Sequence, residues 1–132
     1  ILMLALALLI GCSASYTSKN QSEYNCNLDK GGFVESTKQI LSDFGFVLVK
    51  LDDEDGYIEF ASENFKKEDA KVCFKFNEKD NSVIAYSIVK TDEGEEYYTK
   101  DCYRDMYKDL IVPLEYVYNN CTKVSFPNPP GN

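Results

Sequence analysis

The chain has 132 residues, with 22 Asp and Glu against 14 Lys and Arg, a net charge of −8 and no histidine. This length suits one domain, and an apolar content of 44% is enough for a true core, which excludes wholesale disorder. The scattered cations, with Arg104 the single arginine, argue against a nucleic-acid partner, and the missing imidazole excludes His-dependent triads, HExxH zinc sites and any histidine general base.

Ile1 to Ile10 form an unbroken apolar run, about as long as a signal-peptide core and too short for a bilayer span, which takes ~20 residues. The run ends in Leu9-Ile10-Gly11-Cys12 and gives way abruptly to Ser13-Ala14-Ser15. This resembles the lipobox of bacterial lipoproteins: an aliphatic residue three before the cysteine, a permissive residue, a small one, then Cys. The resemblance implies that the Cys12 thiol receives a diacylglyceryl group, that cleavage precedes it, and that the new N-terminus is acylated, with palmitate as the expected chain. Residues 1–11 are then a signal peptide, read as truncated at its start because neither Met nor a basic segment precedes the run. By the sorting pattern of that family, Ser13 rather than Asp implies the outer membrane, facing the periplasm. Each buried CH₂ contributes ~0.8 kcal/mol, so two or three acyl chains anchor stably. Residues 12–23, rich in Ser, Thr and Asn, read as the acylated cysteine and a flexible tether, and residues 24–132 as a single α+β domain with a Pro-rich tail.

Within that domain, Phe33, Val34, Thr37, Ile40, Leu41 and Phe44 recur at helical spacing, and Gly45 stands where a C-terminal cap belongs. Four β-rich runs follow, Phe46 to Leu51, Tyr57 to Ala61, Lys71 to Phe76 and Ser82 to Lys90. Asp52 to Gly56 and Asn77 to Asn81 read as hairpin connections and residues 62–70 as a longer loop. Tyr98, Cys102, Met106, Leu110, Leu114, Val117 and Cys121 advance by three or four residues and predict a long second helix from about Tyr97 to Asn120, kinked or restarted at Pro113. The expected fold is α+β: a four-stranded antiparallel sheet with two helices on one face, in the order α-β-β-β-β-α, stapled by two disulfides.

Cys26, Cys73, Cys102 and Cys121 remain beside Cys12, an even number in an exported chain. No CxxC or Cys/His spacing points to zinc, and no base accompanies a catalytic thiolate, so neither metal nor cofactor is expected. A continuous helix would hold Cys102 and Cys121 ~28 Å apart, far beyond disulfide reach. An up-down-up-down sheet instead puts Cys26 beside Cys121 at one end and Cys73 beside Cys102 at the other. The second pairing conflicts with strand parity, because Val72, Phe74 and Phe76 look like the core face. Either a bulge near Cys73 changes the parity or that pairing fails.

The acidic turn Asp52-Asp53-Glu54-Asp55-Gly56 places Asp53 and Asp55 like two calcium ligands, but Leu51 and Ser62 then occupy the first and last ligand positions, and an exposed hairpin turn is the better reading. Glu93, Glu95 and Glu96 read as a solvated loop before the second helix. The sequons at Asn20 and Asn120 carry little meaning in a bacterial chain. Six tyrosines crowd residues 97–118, among which Tyr97, Tyr103, Tyr107 and Tyr116 are the candidate partner surface, since exposed Tyr is enriched at interfaces. The favoured function is a non-catalytic lipoprotein, held at the membrane by its lipid, that binds or scaffolds another envelope protein. The alternative is an inhibitor of, or an enzyme acting on, an exported macromolecule such as lysozyme or cell wall.

Overall fold

A computed structural model describes residues 21–62, 70–103, 105 and 107–123. The expected signal peptide, Cys12, most of the tether and the Pro-rich tail lie outside the described residues. The elements are β1 (Ser22–Asn25), α1 (Lys30–Asp43), β2 (Phe46–Asp52), β3 (Tyr57–Ser62), β4 (Lys71–Asn77), β5 (Ser82–Thr91), β6 (Gly94–Tyr98) and α2 (Lys108–Thr122). The fold is α+β, with two helices on one face of an antiparallel sheet that has six strands rather than the expected four.

The four expected strands form the consecutive meander β2-β3-β4-β5. The two additional strands share the far edge of β5 end to end. Ser22 lies opposite Ala85 and Asn25 opposite Ser82, while Tyr98 lies opposite Ser87 and Gly94 opposite Thr91. β1 therefore claims Ser22 and Glu23 from the expected tether, and β6 replaces both the expected acidic loop and the start of the expected second helix. A short turn makes β6 possible: Thr91 Oγ1 accepts from the Glu93 N–H at 3.2 Å and donates to the Gly94 carbonyl at 2.9 Å, while Gly94 takes the positive φ of 126° that suits a residue without Cβ. α2 accordingly begins at Lys108, not near Tyr97, and runs on through Pro113 as one helix.

α1 matches its expected apolar stripe. Its start is set by Asp29, whose Oδ1 accepts from the Gly32 N–H at 2.8 Å, and its end by Gly45 at φ 86°. Strand alternation turns Ile58, Phe60, Val72, Phe74, Val83 and Val89 toward the helices, where they meet Phe33 and Leu41 of α1 and Leu110, Leu114 and Val117 of α2. Phe33 sits edge-on to Phe74 with centroids 5.5 Å apart. Ser87, fully buried in this apolar layer, donates to the Leu110 carbonyl at 3.0 Å and ties α2 to β5.

Cys26 and Cys121 form the expected disulfide, with Cα atoms 4.9 Å apart. The Asn27 N–H donates to the Cys121 carbonyl at 2.8 Å beside it, so the end of α2 is fastened to the end of β1. The other expected bridge, Cys73–Cys102, is not formed, because Cys73 carries a free thiol. The physical reason is parity. β4 pairs regularly with both neighbours, with no bulge at Cys73, so this residue points away from the helices while Val72 and Phe74 point toward them. The sheet's register shift lies instead between Leu48 and Lys50 in β2. Cys102 is buried in the turn after β6, its sulfur accepting from the Thr99 N–H at 3.0 Å.

Candidate functional site

Both helices cover one sheet face, and among the described residues no element covers the other. The register lays three cross-strand rows on this outer face: Val47, Ala61, Lys71, Ile88, Tyr97; then Lys50, Glu59, Cys73, Tyr86; then Asp52, Tyr57, Lys75, Ile84, Glu23. Lys90 and Glu95 face each other at the rim. An open groove of about 470 Å³ runs across β3 to β6 between these side chains.

The centre of the groove is a connected network. The Tyr57 hydroxyl lies 2.8 Å from Glu59 Oε1, to which it donates, and 3.3 Å from Cys73 Sγ. Lys71 Nζ pairs with Glu59 Oε2 at 3.1 Å, and Lys50 Nζ lies 5.6 Å above the Tyr57 ring. The Tyr97 hydroxyl donates to Glu95 Oε1 at 3.0 Å, and its ring rests against Tyr86 with centroids 5.5 Å apart. Burial works against the Glu59 charge, but the bonds from Tyr57 and Lys71 and the charges of Lys71 and Lys50 outweigh it and hold this carboxyl below its ordinary range. Burial pushes the Tyr86 phenol up to about 12, with the facing Cys73 adding to the effect.

Cys73 is 1% exposed, and burial pushes its thiol up to about 11, helped by the Glu59 charge and opposed by the Tyr57 hydrogen bond. A thiol so placed is a structural group rather than a nucleophile, because the thiolate is the reactive form. Iodoacetamide at pH 8 should leave Cys73 unmodified in the folded chain and alkylate it once the chain is unfolded. The folded state holds this proton more tightly than the unfolded state, so the stabilisation is complete below the ordinary thiol value of 9.0 and is lost as the pH rises toward about 11. Cys73→Ala should flatten that alkaline loss, as measured by urea midpoints across the interval.

β2 forms one edge of the sheet, opposite the edge made by β1 and β6, and it carries three exposed apolar side chains: Val47 at 52%, Val49 at 51% and Leu51 at 43%. Composition alone reads the run Phe46 to Leu51 as a β-rich strand without saying where in the sheet it lies. The strand order puts it at an edge, and the register shift between Leu48 and Lys50 leaves Val49 outside the regular ladder. Lys50 and the bulge are the devices by which edges resist indiscriminate pairing.

The four candidate tyrosines do not converge. Tyr97 is buried on the outer face, Tyr103 is 59% exposed in the turn before α2, Tyr107 sits edge-on to Tyr98 with centroids 5.1 Å apart, and Tyr116 lies against Phe44 at 5.2 Å. The acidic hairpin is occupied with its own folding. Asp52 Oδ1 accepts from the N–H groups of Glu54 and Asp55 at 3.0 and 3.2 Å, and Lys30 Nζ donates to the Asp53 carbonyl at 2.7 Å. Among the described residues no cluster of three or more Cys, Asp or Glu is arranged to hold a metal ion, and no helix is long and apolar enough to cross a membrane. Compared with known proteins, the chain matches no family model, no curated protein and no solved structure.

Proposed function

We propose that this chain is a lipid-anchored protein of the bacterial envelope, non-catalytic, which binds or scaffolds another envelope protein through the apolar sheet edge at β2. The anchoring half of the reading rests on the resemblance of Leu9-Ile10-Gly11-Cys12 to a lipobox. The binding half is carried by one observation: Val47, Val49 and Leu51 stand exposed along an edge strand whose outer backbone groups pair with no other described strand. Such an edge accepts an extended segment by strand addition, with backbone hydrogen bonds supplying affinity and the side chains specificity. The non-catalytic reading is supported by the buried Cys73 thiol and by carboxylates engaged with phenols, lysines and turn N–H groups.

The test uses protein purified from detergent-solubilised envelopes. Mass spectrometry should find Cys12 acylated at the N-terminus of the mature chain, and a partner should co-purify with the wild type but not with Val49→Lys. That substitution is at an exposed position and should cost under about 0.5 kcal/mol of stability. An unmodified Cys12 in membrane-derived protein would remove the anchor, and equal recovery of the partner by both forms would remove the edge.

A further inference from the structure

Resting on the β2 reading, we propose that the segment added to this edge is an extended stretch of about seven residues, apolar through its middle and cationic at both ends. The length follows from β2 itself, seven residues from Phe46 to Asp52, which at ~3.3 Å per residue make an edge of ~23 Å. The middle of that edge is apolar on both sides of the sheet. Val47, opposite Ala61, lies in an outer-face row, whereas Leu51, opposite the buried Ile58, lies on the helix side, and both are exposed. An occupant therefore meets apolar surface at successive positions of its strand, not only at alternate ones.

Both ends of the edge are acidic. Beyond Asp52 lie Asp53, Glu54 and Asp55, all exposed. At the other end α1 leads into β2 through Gly45, and it finishes with exposed Asp43 and no basic residue in its last turn, where the helix dipole adds partial negative charge. Lys30 pairs with Asp53 at 3.4 Å, but among the described residues no ion pair reaches Asp43, Glu54 or Asp55. The other lysines nearby are turned elsewhere. Lys50 sits over the Tyr57 ring at 5.6 Å, and Lys75 and Lys79 belong to β4 and the turn after it, which β3 separates from the β2 edge. A cation at each end of the added segment thus meets unpaired carboxylates, whichever direction the segment runs. A second copy of this chain fits less well. Antiparallel pairing of β2 with itself about Val49 sets Val47 opposite Leu51, but it also brings Asp55 of one copy toward Asp43 of the other, and facing like charges are destabilising.

The full chain in a non-ionic detergent would be titrated with the end-capped peptide Lys-Val-Val-Thr-Val-Val-Lys and with its forms ending in Gln or in Glu instead of Lys, followed by NMR of the backbone amides. The lysine peptide should shift the amides of β2 saturably. The Gln form should bind about tenfold more weakly, and the Glu form more weakly still. Raising the salt from ~20 mM to ~500 mM should erase most of that difference, because the pairs are exposed. Glu54→Gln combined with Asp55→Asn should weaken the lysine peptide several-fold and leave the Gln peptide unchanged. The backbone N–H groups of both residues still donate to Asp52, so the turn keeps its bonds. Equal binding of all three peptides at β2 would overturn the charged ends while leaving the edge as the binding surface. No shift at β2 with any of them would overturn both. A dimer formed through β2 without peptide would assign the edge to a second copy and overturn the proposal.

Discussion

Replacing both Cys26 and Cys121 by serine should lower the unfolding free energy by roughly 4 to 5 kcal/mol, on the chain-entropy argument for a crosslink that closes a long loop. The two residues are 95 apart in sequence, so the bridge restricts nearly the whole described domain in the unfolded state. It also works locally. β1 has only four residues and is held by its ladder to β5, by the disulfide and by the bond from Asn27 to the Cys121 carbonyl. Without the bridge, among the described residues only the Asn27 bond and the contact of Tyr24 with Tyr118 still join β1 to the end of α2. A loss of this size is comparable to the whole stability of a small domain. Urea unfolding of the wild type and the double variant, compared at equal slope, measures it, and coincident midpoints would show that the bridge contributes nothing to stability.

Gly56→Ala should cost about 2 to 4 kcal/mol, since a non-glycine residue in the left-handed region and a backbone clash are separately unfavourable. Gly56 has a φ of +71°, and a Cβ built there lies 2.2 Å from the Phe76 carbonyl oxygen. The approach is close for a reason. The Phe76 N–H donates to the Gly56 carbonyl at 2.9 Å and the Gly56 N–H to the Asp52 carbonyl at 2.8 Å, so this residue joins the β2–β3 turn to the end of β4. Relief would require displacing Phe76, whose ring packs on Phe33 in the core. Gly31→Ala is the matched control. It lies on the exposed side of α1, and the nearest atom to its Cβ is 3.9 Å away, so the same change should stabilise by about 0.5 to 1 kcal/mol through helix propensity. Thermal melts of the two variants should therefore move in opposite directions, and a common direction would contradict the local explanation.

The first helix and the four strands of the meander, β2 to β5, were legible because each has a single dominant period: 3.6 for Phe33 to Phe44, and two for runs such as Val72, Phe74 and Phe76. Residues 94–110 carry two periods at once. Tyr98, Cys102 and Leu110 are spaced like a helix stripe, while Glu95 and Tyr97 alternate with Glu96 and Tyr98 like a strand. Pairing with β5, a tertiary interaction, decides for the strand. β1 was hidden for a related reason: four residues with one large side chain, Tyr24, carry too little pattern, and their partner lies sixty residues downstream. The Cys26–Cys121 bridge followed from strand direction alone, whereas Cys73 was placed by direction against the evidence of parity, and parity prevailed.

The outer face was harder to see. Tyr57, Glu59, Lys71, Cys73 and Tyr86 come from three strands and meet only through the register, so no local motif announces them. Val47 and Val49 belong to a run that reads as a strand, and their composition does not say whether that strand is central or at an edge. Only the order of strands in the sheet shows that one side of β2 is free. The tyrosine cluster of residues 97–118 shows the opposite failure: neighbours in sequence that β6, the following turn and α2 send to separate places.

The edge-binding claim is tested most directly by placing a photo-activatable phenylalanine at Val49 in the full-length precursor, expressed in cells, and irradiating intact envelopes. A second protein carrying the same group at Glu35, on the exposed side of α1, reports background contacts. The expected result is a discrete adduct from position 49 and none of the same mass from position 35, with the partner's cross-linked peptide lying in an extended segment. No adduct at position 49, or the same adducts from both positions, would contradict a partner docked on β2.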